Sequence, residues 1–390
     1  MSALPHTAQV PEVASGDDLR EPLPVLVVGA GGMGRAWIGT VLRSDAAVLA
    51  GVVDVVPGAA QRAIDDVVPE SGRPGVAAGT DLLALIATTG ARAVIDVTVP
   101  AAHHPVTAAA LEAGLPVLGE KPCAATLAEA LSLAGRAEST GTLFMVSQSR
   151  RHNPHLREAR RLADELGGAG VVTTHFSRAP RFGGFREEMA HPLIVDMAIH
   201  AFDAGRVLID ANPVSVDATS TNPPWSWYGG DAVATVSIRY DSGALHAYTG
   251  SWCSPGEETS WNGRWSLSCP RGTVAWDGDT PPAATDAEGA HRPGRAPGED
   301  ELWELDASLD AFARAVRTGE TPDSEVHANV WTQAIVEAAV RSADEGRRVS
   351  LAEVLDEALD QARTLDHEQQ GSSALDSWAS GAAGLSTTMR

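Results

Sequence analysis

Three stretches of the chain hold residue types at spacings that do chemistry. Gly29-Ala30-Gly31-Gly32-Met33-Gly34 is a glycine-rich turn of the kind that brings backbone N–H groups up to phosphate. Glu120-Lys121-Pro122 sets an acid and an ammonium side by side. Between Leu193 and Arg206 nearly every residue is apolar or small except Asp196, His200, Asp203 and Arg206. These four recur at i, i+4, i+7 and i+10, so on a helix they form one stripe. A solvated stripe usually carries several long Lys and Glu side chains, and this one has none. A cleft-facing stripe is therefore expected, the plainer alternative being an outward, solvated face. An Asp one turn ahead of a His can accept its N–H and fix the tautomer.

The elements around these residues follow from apolar patterning. Val25 to Val28, Val48 to Val53, Ala93 to Val97, Val117-Leu118 and Leu143 to Val146 read as short buried strands. Helical patterns fall between them: Met33 to Leu42, Ala59 to Val67, Thr80 to Ala87, Pro105 to Ala113 and Leu127 to Ser139. Alternation at this period predicts an α/β fold, a doubly wound parallel sheet of Rossmann type over 23–148. After Gln148 the pattern changes. Helix Pro154 to Leu166, a strand at Val171 to Phe176 and helix Leu193 to Ile209 precede five strand-like segments between Val214 and Trp276. Hairpin punctuation such as Tyr240-Asp241-Ser242-Gly243 predicts an α+β domain with an open, mostly antiparallel sheet over 149–355. Asp279 to Glu299 reads as a loop, and two further helices are expected at Glu301 to Thr318 and His327 to Glu345. Residues 1–22 read as a mobile tail. The extension 356–390, rich in Gly, Ser and Ala beyond Asp366, reads as partly disordered.

In this context the glycine turn gains meaning, because it follows the first strand and opens the first helix. Gly29 permits the tight turn, Gly31 and Gly32 let backbone approach a pyrophosphate, and Gly34 allows close packing of helix on strand, with Met33 on the first turn. Asp54 lies 20 residues beyond Gly34, at the end of the second strand, where an acid binds the adenosine ribose. The alternative is a structural turn with an unrelated surface acid. Asp54 would repel a 2′-phosphate, and Val55-Val56-Pro57 supplies neither Arg nor Ser to hold one, Arg62 being the nearest cation. NAD is thus expected ahead of NADP.

Charge and cysteine usage exclude other classes. The 390 residues carry 29 Lys and Arg against 51 Asp and Glu, a formal charge of −22, which disfavours nucleic acid and anionic membrane surfaces. No apolar run has the length of a transmembrane helix, and no signal peptide is visible. Three widely spaced cysteines, Cys123, Cys253 and Cys269, form no disulfide framework or zinc pattern, which points to the cytoplasm.

Taken together, the glycine turn, Glu120-Lys121-Pro122 and the Asp196 to Asp203 run resemble the glucose–fructose oxidoreductase / inositol dehydrogenase / rhizopine-catabolism (Gfo/Idh/MocA) family. Thr98-Val99-Pro100-Ala101-Ala102-His103, Ala113-Gly114 and Arg150-Arg151-His152-Asn153-Pro154 add to the likeness, which covers about Leu23 to Leu355. The resemblance implies an NAD(P)-dependent oxidoreductase that passes hydride between a secondary alcohol of a sugar, inositol or related polyol and the nicotinamide. It implies Lys121, Asp196 and His200 as the catalytic set, and Thr98, Pro100, His103 and Glu120 at the nicotinamide end. It also implies a homodimer or homotetramer formed through the outer face of the second sheet, an interface the strand Trp residues would suit.

Ten Trp outnumber six Phe and three Tyr. Trp252, Trp265 and Trp276 lie in or beside strands and suit packing, whereas Trp225 and Trp227 sit in a loop where they could wall a sugar site. Arg151 and Arg181 are further substrate candidates. His103-His104 and His152…His155 lack the acids or cysteines of a metal set, so no metal is expected. Two alternatives stay open: a catalytically silent NAD-binding sensor, or another NAD chemistry on this scaffold, such as dihydrodiol oxidation or redox-assisted glycoside cleavage.

Overall fold

The computed structural model describes residues 21–369, 371 and 374–387. The expected mobile tail therefore lies outside the described residues, apart from its last two. Six parallel strands follow: β1 (Leu23–Val28), β2 (Ala47–Val53), β3 (Ala77–Gly79), β4 (Ala93–Asp96), β5 (Val117–Glu120) and β6 (Phe144–Ser147). Helices α1 (Gly32–Arg43), α2 (Ala59–Val67), α3 (Leu82–Thr89), α4 (Pro100–Glu112) and α5 (Leu127–Thr140) connect them. Strand β3 is too short and too little buried to leave an apolar signature, so patterning misses it.

The sheet order is β3-β2-β1-β4-β5-β6, with its direction of winding reversing between β1 and β4. Ligands bind at such a reversal, outside the carboxyl ends of the strands. Val28 pairs with Val53 and Asp96, Asp96 with Gly119, and Gly119 with Val146, so the strands end in register. The glycine turn, the Thr98 turn and Lys121 are thereby delivered to one edge.

The second part begins with α6 (Pro154–Glu165), β7 (Val171–Ser177), the single turn α7 (Phe185–Glu188) and α8 (Ile199–Ile209). It continues through β8 (Pro213–Thr221), β9 (Val233–Tyr240), β10 (Leu245–Ser251), β11 (Arg264–Cys269), β12 (Gly272–Trp276), β13 (Ala283–Asp286) and β14 (His291–Pro293). Then come α9 (Glu304–Thr318), α10 (Val326–Glu345), β15 (Val349–Ser350), α11 (Leu351–Glu368) and α12 (Gly381–Thr387). The nine strands form an open sheet, β14-β13-β12-β11-β7-β10-β9-β8-β15, antiparallel except for the β7–β10 pair. Two of these strands, β13 and β14, occupy the stretch expected to be a loop; main-chain pairing orders them despite their Pro and Gly content.

Period-two alternation divides the sheet faces. Val172, Thr174, Phe176, Tyr248, Trp265, Leu267, Val274 and Trp276 are buried against the helices, while Thr173, His175, Thr249, Ser266 and Thr273 are exposed. The rings of Trp265 and Trp276 stack at 6.2 Å inside this core. They therefore do not stand on the outer face, which corrects the expectation that strand tryptophans would serve a subunit interface there. Helix α9 returns to the first sheet, where Leu309 and Phe312 share a core with Trp37 and Ile38. Beyond Asp366 the described residues are packed rather than disordered. Leu375, Trp378 and Leu385 are buried, and Trp378 Nε1 donates to Glu138 in α5 at 2.9 Å.

The expected helix Leu193 to Ile209 is one continuous element, but its first part, Leu193–Ala198, is a π-helix leading into α8. A π-turn adds a residue to the helical turn and rotates everything before it. The predicted stripe does not all face one cleft. Asp203 and Arg206 turn into the core, 2% and 9% exposed. Arg151 forks onto Asp203 through Nε (2.7 Å) and Nη2 (2.9 Å), and Thr332 of α10 donates to the same carboxylate at 2.8 Å. Arg206 donates to the Ala328 carbonyl and Thr332 Oγ1. These residues clamp α8 onto α10 and onto the segment after β6. Removing one partner of a buried pair strands the other charge, at about 3–5 kcal/mol. Arg151→Met should lower the free energy of unfolding by that amount, and with it the thermal midpoint, and the double variant Arg151→Met/Asp203→Leu should recover part of it. Unchanged melting of the single variant would show that the pair is not an anchor.

Candidate functional site

The glycine turn has the shape that a bound dinucleotide requires. Gly29 has φ +106°, and a Cβ there would stand 2.6 Å from the Val97 carbonyl oxygen. A Cβ on Gly34 would run into the Gly29 carbonyl oxygen, so this glycine sets how closely α1 approaches β1. Gly31 and Gly32 have nothing within 4 Å of a built Cβ. Gly31 is the N-cap of α1 and carries no side-chain cap, so the first-turn N–H groups face open space, as phosphate binding needs. Met33, 46% exposed, borders that space. Asp54 closes the far side, accepting from Ala30 N and Val56 N, both at 2.8 Å. Val55 and Val56 are exposed beside it.

The other end of the cradle is built by β4 and β5. Buried Asp96 accepts from Thr98 N and Thr98 Oγ1 and, on its other oxygen, from Thr107, which fixes the turn into α4 at Pro100. Burial pushes the Asp96 carboxyl up, against the opposing His103 and Thr98. His103 bridges the two turns, with Nδ1 2.8 Å from the Pro122 carbonyl and Nε2 3.0 Å from the Thr98 carbonyl. Trp37 of α1 donates to Glu120 Oε1 at 2.9 Å, and Lys121 N to Glu120 Oε2 at 3.1 Å. Burial raises the Glu120 carboxyl, with the Trp37 N–H opposing. Thr98, Pro100, His103 and Glu120 thus form one framework that aims Lys121.

Lys121 reaches across to the π-helix. Its Nζ donates to the Asp196 carbonyl (2.8 Å) and to Asp196 Oδ1 (2.9 Å). Arg186 of α7 takes the remaining carboxylate oxygen through Nε at 2.8 Å. Burial works against ionisation of Asp196, but the Lys121 and Arg186 cations outweigh it and hold the carboxyl below its usual range. Asp196 therefore serves Lys121 and Arg186, not His200, which corrects the expectation that it fixes the imidazole tautomer. His200 Nδ1 is buried with no hydrogen-bond partner. Burial first, then the charges of Arg150 and Lys121, hold His200 well below the ordinary histidine value of 6.5. A neutral imidazole beside an ammonium is a base next to a hydrogen-bond donor.

A cavity opens beside His200, lined in part by Arg150, Met197, Tyr248, Trp261, Trp265 and Trp276. Its aromatic wall thus comes from strand residues and Trp261 rather than from Trp225 and Trp227. Trp225 is 63% exposed, with Nε1 donating to the Cys253 carbonyl, and the Trp227 ring lies under Arg181 at 3.9 Å. Arg181 is accordingly spent on a cation–π contact at the rim. Arg151 is clamped in the core, and its neighbour Arg150 is the residue that faces the site. Arg150, Arg186 and Trp261 were missed as site residues: adjacent arginines have no periodicity that says which one turns inward. Among the described residues no group of His, Cys, Asp or Glu is placed to hold a metal ion, and no helix is long and apolar enough to cross a membrane.

A dinucleotide cradle opening onto an ammonium and a neutral imidazole defines the class, an NAD-binding fold of the oxidoreductases. The chain belongs to the Gfo/Idh/MocA family: residues 23–148 match the model of its oxidoreductase domain with NAD-binding Rossmann fold, and residues 156–275 match its C-terminal domain. An uncharacterized protein of Sinorhizobium fredii, y4oX, is 30% identical over 58% of this chain. The alignment spans 65% of that relative's length. D-xylose 1-dehydrogenase (NADP(+)) 2 of Haloferax volcanii is 30% identical over 64% of this chain and 77% of its own. An oxidoreductase from Agrobacterium radiobacter, solved with NAD+, L-tartaric acid and magnesium, shares the fold at TM-score 0.77 and 19% identity, over 85% of this chain and 99% of that one.

Two glycine substitutions separate the roles in the cradle. Gly31→Ala fills open space, so its melting should stay near that of the parent while NAD affinity, read by calorimetry, falls at least about tenfold. Gly34→Ala meets backbone and should lose about 1–3 kcal/mol of stability. Equal NAD affinity in Gly31→Ala would remove the phosphate from this turn.

Proposed function

We propose that the protein is a dehydrogenase of a secondary alcohol on a sugar, inositol or related polyol, with NAD as oxidant. The observation that carries this reading is the Lys121–Asp196 contact, which joins the cofactor edge of the parallel sheet to the helix bearing His200. The open glycine turn, Asp54 and the Thr98–Glu120 framework would hold the dinucleotide. NAD, when bound, supplies the hydride acceptor. The rest is done by side chains of the chain itself. Neutral His200 takes the hydroxyl proton. Lys121 has three N–H donors, of which Asp196 occupies two, and the third hydrogen-bonds to the substrate oxygen as negative charge develops. Asp196 positions Lys121, and Arg186 in turn holds Asp196. The Haloferax relative, a D-xylose 1-dehydrogenase by name, agrees with this substrate class.

Two finer readings accompany it. We infer self-association through the exposed Thr- and Ser-rich face of the second sheet, supported by its breadth of nine strands and its small side chains. A reducing, cytoplasmic location is supported by the three unpaired cysteines.

Lys121→Ala and His200→Ala should each lower kcat/KM by roughly 10²–10⁴ while NAD binding persists. The assay is NADH formation across inositols, hexoses, pentoses and sugar acids. Near-parental turnover in both variants would refute the assignment, and NAD binding without turnover on the whole panel would favour a sensor. The pH profile supplies a separate check. The base must be unprotonated, and burial with two neighbouring cations keeps His200 so, hence the acid limb of kcat/KM should fall below the ordinary 6.5. A limb at or above that value would assign the base elsewhere.

A further inference from the structure

The chain carries a formal charge of −22, yet its cleft has the opposite balance. Lys121 and Arg186 occupy both oxygens of Asp196, the carboxylate at the mouth. Arg150, a third cation, is left over. One of its Nη groups donates to the Trp261 carbonyl and the other lies 3.9 Å from Met197 Sδ, a weak acceptor. No described carboxylate is within ion-pairing distance of it, although Glu304 and Asp196 act on it from further away. It lines the cavity next to His200, with Tyr248, Trp261 and Asn262 around it. Burial pulls the guanidinium down to about 10, so it stays charged at neutral pH.

A guanidinium withdrawn from water without a carboxylate is unfavourable until something neutralises it. Three other buried or half-buried arginines meet that demand internally: Arg151 on Asp203, Arg136 on Asp366 and Glu112, Arg186 on Asp196. Arg206 also lacks a carboxylate, but it is closed in the core on the Ala328 carbonyl and Thr332 Oγ1, whereas Arg150 faces the cavity beside His200. Its planar fork matches a carboxylate in geometry as well as charge. A neutral sugar would supply only hydroxyl acceptors there.

We propose that Arg150 is the binding residue for a carboxylate on the substrate, so that the preferred substrate is an acidic polyol, a sugar acid, rather than a neutral sugar. The assignment rests on the dehydrogenase reading only for where the reacting hydroxyl lies, beside His200 and Lys121. It narrows that reading by fixing the far end of the substrate: a carboxylate on Arg150 against the Trp261 side of the cavity, and a secondary hydroxyl toward Lys121. Arg178 stacks on Trp261 at 4.3 Å and adds positive potential at the same wall, though Glu258 pairs with it at 2.7 Å.

The test compares matched pairs with NAD: D-glucuronate against D-glucose and D-galacturonate against D-galactose, with D-glucose 6-phosphate as a phosphate arm. The parent should favour the uronates in kcat/KM. Arg150→Met keeps the side-chain stem and should shrink the acid-to-neutral ratio roughly 10- to 100-fold, the worth of a hydrogen bond to a charged group. Arg150→Lys should restore part of it. A ratio unchanged in Arg150→Met, a parent preference for the neutral sugars, or a preference for the phosphate would each overturn the proposal. Binding of D-glucuronate and D-glucose, followed by tryptophan fluorescence with NADH present, separates this failure from that of the dehydrogenase reading. Arg150-dependent uronate binding without any turnover would sustain the subsite and defeat the dehydrogenase. Turnover of neutral sugars alone would do the reverse.

Discussion

The hydrogen bonds from Lys121 to Asp196 are the constraint around which the site is organised. Lys121 belongs to the carboxyl end of a parallel strand, and Asp196 to the opening of a helix in the other half of the chain. Neither half alone makes a place where an ammonium, an imidazole and a dinucleotide cradle meet. Because the lysine uses both the carbonyl and the carboxylate of one residue, its position is set in two directions. The framework behind it is equally committed: Trp37 holds Glu120, Glu120 accepts from the Lys121 amide, and His103 spans the Thr98 and Pro122 carbonyls. A shift of α1 would therefore be felt at the ammonium through Trp37.

The second half must present His200 against this rigid edge, and it does so with anchors that take no part in chemistry. Asp203 and Arg206 secure α8 to α10 and, through Arg151, to the segment that leaves β6. One continuous helix, π-helical over Leu193–Ala198 and regular beyond, does both tasks. Within the π-helical part Asp196 points to Lys121; beyond it His200 lines the cavity and the next polar residues enter the core.

This division explains what was legible in the sequence. The alternation of parallel strands with helices, the glycine turn and Asp54 stood out because each is encoded locally, by apolar runs, by glycine spacing and by a fixed offset. Lys121 and His200 were readable as types in context. The partners were not. Asp196 pairing with Lys121 and Arg186 depends on a π-turn, which leaves no periodic mark in an apolar run. The choice between Arg150 and Arg151 depends on a 3-10 turn at Ser149–His152, where neighbours face opposite ways. The tryptophans divide in the same manner. Alternation put Trp265 and Trp276 on a sheet face, but which face was decided by the helices α6 and α8 that cover it. The short strands β13 and β14 were hidden for a related reason, since pairing to a neighbour, not composition, makes them strands.

The charge of the chain has two meanings at two distances. Surface acids repel polyanions, but at physiological ionic strength exposed charges more than about 8 Å away are largely screened. At contact distance screening is weak, so Lys121, Arg150 and Arg186 act on a bound molecule far more strongly than the excess of carboxylates outside. Burial first, then Arg150 and Lys121, keep His200 deprotonated, which suits a base, while Lys121 and Arg186 leave Asp196 ionised, which holds the lysine. The local field and the proton inventory of the site are thus one arrangement. An acidic protein can select an anionic substrate when its few cations are the charges that stand within contact distance.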